Sequence, residues 1–329
     1  MAPEIGQVLR RFMLSMDDPE HFAFRNLVAS NFMPARISNL KANVQGRAET
    51  LMESLREKSD LDFVSDIGAK VPIQTVCSIM GVPVEDEWRV FEFTNAVFGT
   101  DDPEYAPSLE VANERYLAIF DYGWSLLEAR RKEPRDDLVS QIANARKEDG
   151  SPLTRDEQVS YFSNLIAAGN ETTRSSLSGA VWALSLYRDQ RRALIDDPSL
   201  LPLAVQEILR WVSPVYHMSR TATQNVEIGG KVIATGDRVA MLYGAGNHDP
   251  EVFADPHALN IRRENSKAHV TFGYGIHHCL GFRLGTMQIE VLLEALLRKF
   301  PDYEIASEPE YIRSNFVSAI KRLPIQLRA

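Results

Sequence analysis

The chain has 329 residues, 44% of them hydrophobic and 25% charged, with a formal net charge of -9. That composition fits a globular protein with a large core, and the acidity excludes nucleic-acid binding through bulk charge. No apolar run reaches the roughly 18 to 20 residues of a membrane span, the N-terminus lacks the apolar stretch of a signal peptide, and Cys77 and Cys279 make no disulfide framework, so the sequence reads as a soluble cytoplasmic protein without a membrane anchor.

The first two-thirds reads as helix after helix. "FRNLVASNF", "RAETLMESLREK", "VSDIGAKVPIQTVCSIMGV" and "ERYLAIFDYGWSLLEARRK" carry apolar residues at helical spacing, separated by turns such as "GVPVED" and "EDGSP". Thr154-Arg155-Asp156-Glu157 has the form of a capping box and predicts a helix running to about Tyr187. At about 1.5 Å per residue that helix is roughly 50 Å long and crosses the whole molecule. In its middle lies "AAGNETT", residues 167–173. There Gly169 costs about 1 kcal/mol relative to alanine, and Glu171, Thr172 and Thr173 put polar groups where a crossing helix is buried. The segment is either a tolerated glycine beside a solvated turn or a functional break in the pattern. After Pro214, "NVEIGGKVIATGDRVAMLY" predicts a hairpin around Gly229-Gly230 followed by a third strand. A loop-rich stretch, residues 244–278, leads to a helix over about 280–300 with Pro301 as its stop, and "YIRSNFVSAIKRLPIQLRA" reads as terminal strands. The prediction is a mainly α fold with a smaller β portion (α+β), forming one domain over residues 1–329.

The stretch "TFGYGIHHCLG", residues 271–281, sets two histidines beside Cys279 among three glycines. With a helix expected from Leu280, Cys279 falls at a helix N-terminus, where N–H groups and the dipole lower a thiol's pKa. Three readings compete. Zinc would take Cys279 with His269, His277 or His278, but no second ligand pair at short spacing is present. A cysteine nucleophile would need a base such as His248 or His278, held by a third group. A haem-iron thiolate needs the one cysteine as sole protein ligand.

The third reading is the one that a family resemblance supports. "FGYGIHHCLG" (Phe272 to Gly281) resembles the haem-binding loop of the cytochrome P450 family, F-G-x-G-x-H-x-C-x-G, at every fixed position. "AGNETT" resembles the oxygen-activation motif of that family's long helix. "EILR" supplies its Glu-x-x-Arg pair, "DPEHFAFRNLVASNFMP" resembles its early His/Arg helix, and "HMSRTA" carries a further arginine. The resemblance implies a P450 fold, N-terminally shortened because the chain begins just before the early His/Arg helix. Exposed sheet edges left by such shortening would invite dimerisation.

What the resemblance implies for individual residues is as follows. Cys279 is the proximal ligand of haem b (iron protoporphyrin IX), with Phe272 packed near it and Gly273 and Gly281 shaping the loop. His21, Arg25, Arg220 and His277 pair with the propionates, and Ala168 and Gly169 adjoin the haem, Gly169 letting the long helix open locally. Glu171 and Thr172 form the acid–alcohol pair that manages protons during oxygen activation. Glu207, Arg210 and Arg263 make a buried structural network. Ala167, Val215, Tyr216, His217, Met218, Phe316 and Val317 line the substrate pocket. Apart from the resemblance, Arg262, Arg263, Lys267 and Arg283 bracket the cysteine loop in an otherwise acidic chain, and are either a basic face for an acidic ferredoxin or scattered solvated charges. The implied activity is a monooxygenase that inserts one atom of O2 into an apolar small molecule, with electrons from NAD(P)H through ferredoxin reductase and ferredoxin. "AAGNETTRSS", "LYGAGNHDPEVF" and the tail resemble the group acting on sterol side chains and methyl-branched lipids, with related enzymes acting on terpenoids. The alternative from another class is a family-derived haem-binding protein without turnover. Two departures from the family pattern are His248 and Thr286, each where an arginine is usual.

Overall fold

The computed structural model describes residues 2–58 and 61–328; the last residue of the predicted terminal strands, 329, lies outside them. In chain order the helices are α1 (Pro3–Arg10), α2 (Glu20–Ala29), α3 (Pro34–Ser54), α4 (Lys70–Met80), α5 (Glu87–Phe98), α6 (Leu109–Lys132), α7 (Leu138–Ala143), α8 (Arg155–Leu186), α9 (Arg188–Asp196), α10 (Leu201–Val212), α11 (Tyr243–Asn247) and α12 (Phe282–Lys299). The strands are β1 (Leu61–Asp62), β2 (His217–Thr221), β3 (Val226–Ile228), β4 (Lys231–Ile233), β5 (Arg238–Leu242), β6 (Glu304–Ile305), β7 (Glu310–Tyr311), β8 (Ile320–Arg322) and β9 (Pro324–Gln326).

Local chemistry sets several boundaries. Thr154 accepts from the Glu157 backbone N–H while the Glu157 carboxylate accepts from the Thr154 N–H, so the capping box is complete and α8 starts where the sequence predicts. Gly229 and Gly230, at φ 56° and 74°, close the β3–β4 hairpin in the left-handed region that such a turn requires. The third strand of this segment does not extend the hairpin. β5 returns to pair with β2 in antiparallel register, His217 opposite Leu242 and Thr221 opposite Arg238. At the far end β9 pairs with both β1 and β6, tying the C-terminus to the segment before α4.

α8 organises the interior. Its first half (Val159, Tyr161, Phe162, Ile166) belongs to a core shared with α1, α2 and α4–α7. Its second half (Leu177, Ala180, Val181, Leu184) belongs to another, shared with α3, α10 and α12. Residues 168–176 of α8 belong to neither. The polar break in the pattern therefore falls at the seam between two apolar cores.

The far wall of that seam is braced by one carboxylate. Glu207 of α10 accepts two hydrogen bonds of 2.8 Å from Arg210 and a forked one of 3.0 Å from Arg263 Nε. All three side chains are buried. Arg210 also donates to the carbonyls of Asn247 and Pro256 at 2.7 Å. The Asn247 side chain carries the linkage onward: its Oδ1 accepts from the Val270 N–H at 2.7 Å and its Nδ2 donates to Thr271 Oγ1 at 2.9 Å. Replacing Glu207 by alanine strands two buried guanidinium groups. Glu207→Ala is expected to lose about 3–5 kcal/mol of stability, read from urea unfolding; a loss below about 1 kcal/mol, the size of an exposed pair, would contradict the bracing role.

Candidate functional site

The seam encloses a cavity, and the cysteine loop forms one wall of it. Gly273 and Gly275 take φ of 71° and 72°, and residues Gly275–His277 make one tight helical turn. The Cys279 N–H donates to the Phe272 carbonyl at 2.8 Å, closing the loop on itself. A side chain at Gly273 would be strained by its φ and would approach the Tyr243 hydroxyl at 3.4 Å. Phe272, Gly273, His277, Cys279 and Gly281 all line the cavity.

The helix lies further from Cys279 than the sequence predicts. α12 begins at Phe282 with Gly281 as its N-cap, so Cys279 precedes the helix instead of occupying its first turn. Burial pushes the thiol up; the Gly281 N–H and the Arg25 charge pull the other way without prevailing. Among the described residues no group of three or more His, Cys, Asp or Glu side chains is arranged to hold a metal ion, which leaves a zinc site without its donor set.

Four nitrogen-bearing side chains expected to act together do converge. His21 and Arg25 of α2, Arg220 of β2 and His277 of the loop line the same cavity. The His21 and His277 rings lie 4.4 Å apart, and Arg25 donates to the His278 carbonyl at 2.7 Å, tying α2 to the loop. From α8 come Ala168, Gly169 and Thr172, the last donating its hydroxyl proton to the Ala168 carbonyl at 3.0 Å. Gly169 serves a different purpose from local opening of the helix, since α8 runs unbroken. A Cβ there would meet Val76 Cγ2 at 2.8 Å, so glycine permits the close approach of α4.

Glu171 is the largest departure. Its carboxylate is fully buried, paired with Arg174 and accepting from the Ser175 hydroxyl at 2.9 Å, and it does not line the cavity. Arg174 in turn donates to Asn95 of α5 at 2.8 Å. The acid and the alcohol are adjacent in sequence, and the helical rotation between them sends Glu171 toward α5 and Thr172 toward the cavity.

The expected pocket residues divide in the same way. Val215 and Met218 line the cavity, as does Ala168. Ala167, one position earlier on the helix, is packed in the α4–α7 core. Within β2, His217 falls on the face opposite Met218 and Arg220, and Tyr216, just before the strand, is 41% exposed. Phe316 stacks on Phe98, with ring centroids 6.2 Å apart, and Val317 is buried in a satellite core where it bridges to Val215. These two residues support the wall from behind. Arg263 is buried on Glu207 and leaves the basic face to Arg262, Lys267 and Arg283, all exposed.

Other lining residues escaped sequence reading. Val76, Ile79 and Met80 of α4 looked like ordinary core at helical spacing, and Met13 and Leu14 sit in a short segment without a pattern. Gln288 of α12 is buried, lines the cavity and, among the described residues, leaves its Oε1 without a partner. Polar residues recur through α12, at Thr286, Glu290 and Glu294 among others, so no sequence signal set Gln288 apart.

The cavity fits a planar iron porphyrin. It offers one sulfur donor, four rim side chains suited to carboxylates, and open space over the backbone at Gly281, where a Cβ would meet nothing within 4 Å. Comparison with known proteins agrees. The family model for cytochrome P450 matches residues 112–327. The methyl-branched lipid omega-hydroxylase of Mycobacterium tuberculosis is 38% identical over 98% of this chain and 76% of its own length. The steroid C26-monooxygenase of Rhodococcus jostii is 33% identical over 97% of this chain and 67% of its own. The structure of Mycobacterium marinum cytochrome P450 CYP268A2 in complex with pseudoionone superposes with a TM-score of 0.95 at 32% identity, covering 99% of this chain and 80% of that one. With the cysteine loop, the rim donors and the long helix gathered on one cavity, and relatives of this similarity along nearly its whole length, the chain belongs to the cytochrome P450 family and is a cytochrome P450 monooxygenase.

Proposed function

We propose that this enzyme hydroxylates an apolar substrate, a sterol side chain, a branched lipid or a terpenoid, as one cytoplasmic haem domain. The observation that carries the reading is a single chamber holding Cys279, the rim donors, the Thr172 hydroxyl and an apolar wall of Val215, Met218, Val76, Ile79 and Met80. Names of relatives that act on methyl-branched lipids and steroids support the substrate class. Among the described residues no helix is long and apolar enough to cross a membrane. We assign haem b as the cofactor, with Cys279 as its iron ligand and His21, Arg25, Arg220 and His277 as its propionate partners. Bound there, the haem supplies oxygen activation, for which thiolate donation is the electronic lever.

The chain's own residues do the rest. Arg25 and Arg220 would hold the porphyrin carboxylates through charge-assisted hydrogen bonds, with the ring nitrogens of His21 and His277 beside them. Apolar side chains exclude water and orient the substrate, discriminating by about 1–3 kcal/mol per methylene. Thr172 holds an exchangeable proton at Oγ1 on the cavity wall. Glu171 acts through its neighbours, holding α8 against α5 by way of Arg174. Electrons come from NAD(P)H through a ferredoxin reductase and a ferredoxin. The exposed charges of Arg262, Lys267 and Arg283, with Tyr274 88% exposed among them in the loop sequence, suit an acidic partner.

Three measurements test this reading. The reduced protein under carbon monoxide is expected to show the strongly red-shifted Soret band of a thiolate-bound haem, and Cys279→His to lose that shift; a band unchanged by the substitution would reject Cys279 as the ligand. Thr172→Ala is expected to lower product formed per NAD(P)H by about tenfold, at the low side of proton-transfer contributions, with the missing electrons recovered as peroxide; unchanged coupling would remove Thr172 from proton handling. Reversing Arg262, Lys267 and Arg283 to glutamate is expected to slow ferredoxin-dependent reduction by about tenfold or more at low salt, with the difference shrinking as salt rises; equal rates would move the docking face elsewhere.

A further inference from the structure

A second cleft, of about 660 Å³, lies outside the haem cavity, between the outward face of α3 and the beginnings of α4 and α5. The two cavities share α4 as a wall: Lys70 and Gln74 face the cleft, while Val76, Ile79 and Met80 face the haem cavity. Along α3, Asn43, Gly46, Arg47, Thr50 and Ser54 recur at helical spacing and form its floor.

Gly46 stands inside a helix, where glycine is destabilising. No packing requires it, because a Cβ there would meet nothing within 4 Å. Its effect is to keep the floor open. Beside it, Arg47 Nη1 is buried and has no hydrogen-bond partner among the described residues, a costly state for a charged donor. Among the described residues neither Arg47 nor Lys70 makes an ion pair. The hydroxyl protons of Thr50 and Ser54 are spent on the carbonyls of Gly46 and Leu51. The donors left for a ligand are thus two cations and the amides of Asn43 and Gln74. One carboxylate faces them: Glu87 lies near Arg47 and Lys70 without pairing with either, and burial raises its pKa against their pull. The neighbouring Asp86 is already engaged by Tyr122 and Arg89.

We propose that this cleft is a binding site for the phosphate group of a small metabolite. A phosphate offers oxygens for the Arg47 guanidinium and the Lys70 ammonium, and its P–OH can donate to Glu87, a combination that a simple carboxylate lacks. The assignment rests on the cleft alone and does not depend on the oxidation chemistry.

The test is calorimetric titration of the haem-loaded protein with inorganic phosphate, against succinate and chloride at matched ionic strength. Phosphate is expected to bind saturably, with Arg47→Gln weakening it by about tenfold or more, the scale of a lost charge-assisted contact. Gly46→Leu, which fills the cleft with a better helix former, is expected to abolish phosphate binding while raising Tm. No saturable phosphate binding, equal affinity in Arg47→Gln, or succinate binding as tightly as phosphate would each overturn the proposal.

Discussion

One buried carboxylate governs how this chain holds its cysteine. Glu207 is shared between two guanidinium groups that have no water to fall back on, so it is the charge that permits either arginine to be inside. Because Arg210 spends its remaining donors on backbone carbonyls of a segment with little regular structure, the ion cluster sets the course of that segment. Asn247 then hands the constraint to Val270 and Thr271, and the loop closes one step later where Cys279 donates to Phe272. The sulfur is located by a relay of hydrogen bonds that begins on another helix. Thr271 strengthens it by donating to the Leu209 carbonyl of α10 at 2.9 Å.

The second organising fact is that α8 serves two cores at once. In the middle of this 32-residue helix the burial is polar instead of apolar: Asn170 and Glu171 are buried, Asn170 donating to Thr94 of α5 and Glu171 paired with Arg174, while Ala168, Gly169 and Thr172 line the cavity. Placing the reaction there costs little packing, and the flanking cores keep the walls in position. α2 completes the enclosure, with Arg25 anchored on the loop carbonyl of His278.

Much of this was legible in the sequence, and what was not has a common cause. The capping box at Thr154, the Gly229-Gly230 turn and the glycine-bracketed cysteine loop are local signals, and local backbone chemistry decides them. Membership of the rim was also legible for His21, Arg25, Arg220 and His277, because their motifs carry spacing. Direction was not. Whether Glu171 or Thr172 meets the cavity is decided by the rotation of α8 against α5, and the buried Arg174 that captures Glu171 reads in sequence as an ordinary helix arginine. His217, Phe316 and Val317 sit in the right segments, yet strand alternation and a satellite core turn them away from the cavity. The start of the last long helix was not legible either: it begins at Phe282, a shift within the ordinary imprecision of helix ends but enough to take Cys279 out of its first turn.

The contact between Gly169 and Val76 bears on how the chamber could diverge. With the Val76 side chain of α4 seated directly on the backbone of α8, a side chain at position 169 would have to displace Val76. Gly169 and Val76 are therefore tied to each other, and the capacity of the chamber is adjustable further along α4. Ile79 and Met80 line the chamber and can exchange volume without disturbing that contact. Altering selectivity, by natural drift or by engineering, would proceed along α4 as a set of interchangeable inserts against a stationary surface.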